Sequence, residues 1–235
     1  MTETKITTWW SATGGVGKTT LTVAHAQELA KQGEKVALLD FSEARPDIYK
    51  ILGLPFLSPE EIINAIENGG PVAIEKIFTK KGNLHVFTGV PLEQFEMFRE
   101  KHFSAIINAI KSEFKNIIID TNAGVFFSAT AAALKASDNI DVVIRPDIIC
   151  LEDTAMMINF LCERWNIERS KFHIYLNHTG MGDVDKETAE RVLGQEVMEI
   201  FLKRGKMHIP TLLKRPKKGF FNLQERRLAN ADKSF

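Results

Sequence analysis

The sequence predicts an α/β fold: a doubly wound, mostly parallel sheet with helices on both faces. Three observations predict it. Short apolar runs alternate with longer segments of helical pattern, several runs are apolar on consecutive residues, and a glycine-rich turn joins the first strand to the first helix. Continuous apolar runs suit strands covered on both faces. Strand–helix alternation gives right-handed βαβ units, whose ligands sit at the carboxyl ends of the strands.

Taken in order, Lys5–Trp10 is the first strand. Lys18–Gln32 is a helix with Leu21, Ala24, Leu29 and Ala30 on its apolar side, stopped by Gly33. Lys35–Asp40 is the second strand. Ser58-Pro-Glu-Glu61 has capping-box spacing with proline at the first helical position, and opens a helix over Pro59–Glu67. Leu84–Thr88 is a strand, Leu92–Phe114 a helix, and Asn116–Asp120 a strand with Ile117, Ile118 and Ile119 in succession. Ser128–Lys135, Leu151–Trp165 and Lys186–Lys203 read as helices, and Asp141–Arg145 and Phe172–Asn177 as strands. Residues 1–213 form one domain in this reading, followed by a basic tail over 214–235.

The chain has 235 residues, 44% hydrophobic and 26% charged, so its core needs neither disulfides nor metal. Thirty basic residues balance thirty acidic ones, and nothing global points to nucleic acid or to a charged membrane. No apolar run approaches the ~20 residues of a bilayer span. The start carries no basic segment followed by an apolar one, so no secretory signal is expected. Cys150 and Cys162 match no metal spacing and read as thiols in a reducing, cytoplasmic setting. The six histidines show no i,i+4 metal pair. Charge is nevertheless uneven: residues 203–235 hold ten basic and two acidic residues. This end is a solvated tail or a surface for the phosphates of DNA or lipid.

Ser11-Ala-Thr-Gly-Gly-Val-Gly-Lys-Thr-Thr20 follows a strand and opens a helix, the context a phosphate-binding loop requires. Gly14, Gly15 and Gly17 let the backbone curl and aim N–H groups at one point, where the helix adds its positive end. Lys18 reaches the β- and γ-phosphates, the Thr19 hydroxyl is placed to ligate Mg²⁺, and Thr20 helps to hold a phosphate. The strict G-x-x-x-x-G-K-[ST] pattern wants glycine where this chain has Ala12.

Gly14-Gly15-Val16-Gly17-Lys18-Thr19-Thr20 resembles the deviant Walker A loop, K-G-G-x-G-K-[ST], of the ParA/MinD family of P-loop ATPases. The resemblance implies that residues 13–20 bind ATP with Mg²⁺ and that the fold is a P-loop NTPase. The family's signature lysine is replaced by Thr13. In the family that lysine reaches across an ATP-sandwiched dimer, in a role comparable to an arginine finger. Such a group is worth 10³–10⁵ in rate, or about 4–7 kcal/mol. Tight ATP binding with slow intrinsic hydrolysis is therefore expected, and Arg45 in the next loop is a candidate to replace part of the charge, in cis or in trans.

The resemblance extends over nearly the whole chain. Asp40-Phe41-Ser42 matches the first switch, usually D-x-D, with its second acid replaced. Asp40 is then the catalytic candidate beside Lys18, orienting the attacking water or a metal-bound water. Asn116-Ile-Ile-Ile-Asp120-Thr-Asn-Ala-Gly124 resembles the Walker B and second-switch segment, D-[ST]-x-[PA]-G. Asp120 would bind the Mg²⁺ shell with Thr19, and the Gly124 N–H would sense the γ-phosphate. Asn177 takes the place of the family's base-binding asparagine, and Met207-His-Ile-Pro210 that of the segment packing on the base, through Pro210. His178 and Gly180 replace the lysine and aspartate of guanine-reading N-K-x-D, which favours adenine.

A bacterial tyrosine kinase would carry a C-terminal tyrosine cluster, but the chain has only Tyr49 and Tyr175. An iron–sulfur carrier would need a C-x-x-C pair. The segment Lys217–Leu228 has a poorly focused apolar face, which argues against membrane attachment. The resemblance implies a nucleotide-switched homodimer that positions plasmids, chromosomes, division or pilus machinery, with an activating partner protein. The alternative is a non-hydrolysing ATP-binding scaffold of the CpaE/TadZ type. Nonspecific DNA binding through the basic tail is a further possible partner interaction.

Overall fold

Strand β1 (Lys5–Trp10) lies inside an eight-stranded sheet of order β3-β4-β2-β5-β1-β6-β7-β8. The computed structural model describes residues 4–43, 45–57, 59–69, 74–177, 184–200, 202–203 and 206–207. Ser58, His178, Gly180, Pro210 and the tail 214–235 lie outside them. The other strands are β2 (Val36–Phe41), β3 (Thr79–Lys81), β4 (Leu84–Phe87), β5 (Asn116–Thr121), β6 (Asn139–Ile144), β7 (Phe172–Asn177) and β8 (Val197–Ile200). All pairings are parallel except β3 with β4. A separate two-residue ribbon pairs β9 (Leu202–Lys203) with β10 (Lys206–Met207).

The helices are α1 (Lys18–Lys31), α2 (Ile48–Leu52), α3 (Pro59–Glu67), α4 (Glu100–Ile110), α5 (Ser128–Ala136), α6 (Ile148–Trp165) and α7 (Lys186–Leu193). Side-chain alternation along the strands sorts the core into two layers. Leu38 and Ile118 join Leu21 and Val23 of α1, Leu151 and Leu161 of α6, and Leu193 of α7. Leu39, Ile117 and Ile119 join Ile62 of α3, Phe103 and Ile106 of α4, and Ala132 of α5. The helices thus cover both faces, as the unbroken isoleucine and valine runs require. No helix among the described residues is long and apolar enough to cross a membrane.

Several elements differ from the sequence reading, and α2, β3 and β8 are additions to it. Leu92–Phe114 is not one helix: a 3₁₀ turn (Leu92–Met97) is followed by extended Phe98 and then α4. Phe98 is buried beside Phe103, and the Arg99 N–H donates to His102 Nδ1 at 3.1 Å, which starts the helix afresh. Lys186–Lys203 likewise splits, because Gly194 ends α7 at φ 68° and β8 then pairs with β7. The polar edge strand β3 carries no apolar pattern. α6 begins at Ile148 because the Asp147 carboxylate caps it, accepting from Cys150 N at 2.8 Å.

Ile118 is buried at the centre of the sheet, between β1 and β2. Ile118→Ala is expected to lower unfolding free energy by about 2–5 kcal/mol in urea titration.

Candidate functional site

The turn between β1 and α1 sits at the carboxyl end of the sheet, where β1 is flanked by β5 and β6 rather than by its sequence neighbour β2. Gly15 and Gly17 hold φ of 72° and 88°, and Gly17 caps α1 in the left-handed region. A Cβ on Gly17 would lie 2.6 Å from the amide nitrogen of Asn177. That close approach has a purpose: the Asn177 Nδ2 donates to the Val16 carbonyl at 2.8 Å and ties the loop to the end of β7. Asn177 is fully buried, so the brace is shielded from water.

The loop opens onto a cleft of about 230 Å³. It is lined by Ser11 and Gly14 through Thr20, by Ser42 and Arg45 after β2, and by Thr121 through Ala123 after β5. Asp120, fully buried at the end of β5, organises the base of this cleft. Its Oδ1 accepts from Lys18 Nζ at 3.1 Å and Thr22 Oγ1 at 3.0 Å, and its Oδ2 from Thr19 Oγ1 at 2.7 Å and Ser42 Oγ at 3.3 Å. Lys18 also donates to the Thr121 carbonyl. The buried charge is compensated by an ammonium and three hydroxyls, which offsets its desolvation. Thr19 and Ser42 each place a hydroxyl, a hard oxygen donor, within hydrogen-bond distance of the Asp120 carboxylate. That donor chemistry fits Mg²⁺, and the loop fits the phosphates it would bridge.

Two residues expected at the reacting end are used otherwise. Asp40 does not line the cleft. Its Oδ1 accepts from Ser42 N at 3.0 Å, and its Oδ2 from Asp47 N at 2.9 Å and Ile48 N at 3.0 Å. The carboxylate closes the loop after β2 and caps α2; it is a loop anchor rather than a group facing the cleft. Gly124 does not offer its N–H to the cleft either, because that N–H donates to the Ser11 carbonyl at 2.9 Å. The Thr13 hydroxyl lies 3.2 Å from Cys150 Sγ, directed away from the cleft lining. Gly14, Gly15, Val16, Gly17, Lys18, Thr19 and Thr20 all line the cleft as one continuous segment.

Residues not singled out by sequence complete the site. The Asn122 Oδ1 accepts from Glu43 N at 2.6 Å, and its Nδ2 donates to Glu43 O at 3.2 Å. The Glu43 carboxylate accepts the Ala129 N–H at the start of α5. Burial raises the Glu43 pKa above the ordinary carboxylate value. Gly89, at φ 89°, admits Pro46 so closely that a Cβ there would stand 2.5 Å from the proline Cβ. Trp10 Nε1 donates to the Gly124 carbonyl at 2.6 Å. Asn122 was visible inside the D-T-N-A-G segment, but Gly89 has no local signal, since its partner lies 43 residues earlier.

A family model described as an AAA domain matches residues 4–174. The chain belongs to the ParA/MinD family of P-loop ATPases. It is 30% identical over 173 residues to the septum site-determining protein MinD of Thermotoga maritima, covering 71% of this chain and 61% of that protein. Among solved structures it is similar to a ParA family ATPase from Chlorobium tepidum, with a TM-score of 0.73 at 18% identity, covering 86% of each chain. It is also similar to MinD from Pyrococcus horikoshii complexed with Mg-ADP, with a TM-score of 0.69 at 21% identity, covering 85% of this chain and 81% of that one. The chain spans 55–63% of the length of the first curated relatives it matches. The ParA/MinD fold accounts for the central phosphate loop and for the two loops, after β2 and β5, that meet it at the cleft.

Asp40 generates a pH dependence. Burial first, and then the neighbouring Asp120 charge, push its pKa up from 3.8 to about 7. The folded chain therefore holds this proton more tightly than the unfolded chain does. The resulting stability is fully present below about pH 4 and is lost as pH rises through about 7. At 1.36 kcal/mol per pKa unit it is on the order of 4 kcal/mol. In EDTA and without nucleotide, the melting temperature of the wild type is expected to fall between pH 5 and pH 8 more steeply than that of Asp40→Asn. Parallel curves for the two proteins would refute the assignment.

Proposed function

We propose that this chain is a Mg·ATP-binding, slowly hydrolysing ATPase that works as a nucleotide-switched dimer to position a cargo such as a plasmid, a chromosome, or division or pilus machinery. The observation that carries the reading is the meeting of Lys18, Thr19 and Asp120 at the mouth of α1, with Thr19 Oγ1 and Asp120 Oδ2 only 2.7 Å apart. The phosphates lie along the N–H groups of Gly14 through Thr20, and Lys18 turns from Asp120 to the β- and γ-oxygens. Magnesium, when bound, neutralises the charge that develops between those phosphates. Thr19 and Asp120 hold it, with Ser42 beside them. Asn177, at the position the resemblance assigns to the base, braces the phosphate loop through Val16 instead of lining the cleft. Exposed Phe126, after the second-switch loop, and Ile148 and Ile149, at the start of α6, supply apolar surface for the face that meets the second copy.

Calorimetry with Mg·ATP tests this directly. Wild type is expected to bind, and Lys18→Ala to lose at least about a hundredfold in affinity, since charge-assisted bonds to phosphate are worth ~1.5–3 kcal/mol each and Lys18 makes more than one. No heat from well-folded wild type would overturn the reading.

Two observations favour a second reading, an ATP-binding scaffold that marks a location without useful turnover. The hydroxyl of Thr13, at the signature-lysine position, is directed to Cys150, and Ser42 replaces the second switch acid. Phosphate release with candidate partner proteins or DNA separates the two: stimulated turnover supports the ATPase and persistent ATP occupancy supports the scaffold. Thr13→Lys is expected to raise single-turnover hydrolysis by restoring the missing cation, and an unchanged rate would count against that account.

The basic tail makes DNA a candidate partner in the cytoplasm. Binding of nonspecific duplex through it is expected to fall steeply with salt and to vanish on charge reversal of Lys214, Arg215, Lys217 and Lys218. Absence of binding at low salt would remove the tail from the mechanism.

A further inference from the structure

We propose that Arg45 grips the terminal phosphate of the nucleotide held by its own chain. The assignment rests on the reading of the cleft as an ATP site and adds a phosphate ligand outside the Gly14–Thr20 segment. Arg45 and Lys18 are the two cationic side chains lining the cleft among the described residues. The Lys18 ammonium is already paired with Asp120 and with the Thr121 carbonyl. Arg45 is exposed. Its planar fork suits a phosphoryl group with three equatorial oxygens.

The position of Arg45 is set by its backbone. The Asp40 carboxylate holds Ser42 N on one side of it and Asp47 N and Ile48 N on the other. The Asn122 amide holds Glu43 through both its N–H and its carbonyl. Pro46, the next residue, is buried against Gly89, where no side chain could stand. A loop clamped this way loses little further backbone entropy when its arginine engages a ligand. Asp40, Asn122 and Gly89 are thus positioning residues for Arg45.

The terminal phosphate is the one within its reach. Ser42, three residues earlier in the same loop, bonds Asp120 Oδ2, the oxygen shared with Thr19. Those groups would hold a magnesium ion, which would neutralise charge at the terminal phosphates, and this puts the β2 loop at the γ end of the nucleotide. Arg145 is placed differently. Its Nη1 stands 3.9 Å from where a Cβ on Gly15 would lie, but its Nε donates to Asp147 at 3.0 Å and it is not among the residues lining the cleft.

The test titrates full-length protein with Mg·AMPPNP and Mg·ADP. Arg45→Ala is expected to weaken AMPPNP by about tenfold or more, the scale of a lost charge-assisted hydrogen bond, while ADP changes less than about threefold. Arg45→Lys recovers part of the loss, and Arg145→Ala leaves the ratio of the two affinities as in wild type. A 1:1 mixture of Arg45→Ala and Lys18→Ala should show no site of wild-type AMPPNP affinity, because a grip made within one chain cannot be restored by its partner. An unchanged ratio in Arg45→Ala, or the same loss from Arg145→Ala, overturns the assignment while leaving the ATP site intact. A site of wild-type affinity in that mixture overturns it too, placing Arg45 on the partner's nucleotide. Wild type that binds neither nucleotide defeats the ATP reading itself.

Discussion

A fully buried carboxylate, Asp120, receives an ammonium and two hydroxyls from the start of α1 and a third hydroxyl from the loop after β2. Burying a carboxylate is costly unless it is paired and hydrogen-bonded, and removing one partner of such a pair typically costs 3–5 kcal/mol. The phosphate loop, the start of α1 and the loop after β2 therefore have to converge on the end of β5. This convergence requires β5 to lie between β1 and β2, and the sheet order provides that arrangement. The loop geometry, the metal-fitting oxygen set and the position of Lys18 all depend on it.

Around this hub the loops after β2 and β5 are joined side by side. Asn122 of one holds the backbone of Glu43 of the other, and Glu43 in turn receives the first turn of α5. A change at the cleft that displaced either loop would disturb both, and would reach α5 through a single side chain. Charge shapes the same region. Asp40 and Asp120 are register partners on adjacent strands, both buried, and the first accommodates its neighbour by holding its proton to higher pH. The backbone N–H groups of Ile48 and Ser42 act against that rise without cancelling it.

Much of this was legible in the residues. The strand–turn–helix context of Gly14 through Thr20, the Ile117–Ile119 run ending in Asp120, and the strand ending in Asn177 all carry local signals. The division of Leu92–Phe114 was not legible, because burial of Phe98 against Phe103 outweighs helix propensity that continues across it. Asp40 shows the opposite limit. Its motif marks a functional acid, but its two oxygens are consumed by N–H groups up to eight residues away, and no pattern of residue types records where those groups point. Gly89 and Pro46 meet only through the parallel pairing of β2 with β4.

By itself the sequence determined the α/β class, the two-sided burial of the strands and the presence of a phosphate loop with its lysine and hydroxyls. These follow from periodicity and from glycine, lysine and threonine spacing over short distances, where backbone geometry is dictated locally. Tertiary structure alone decided which acid the Lys18 ammonium pairs with, that Arg45 lines the cleft and what braces the loop at Gly17. Those outcomes depend on side chains brought together from up to 161 positions apart, as Asn177 and Val16 are, and such distances are set by strand order rather than by neighbours in the chain.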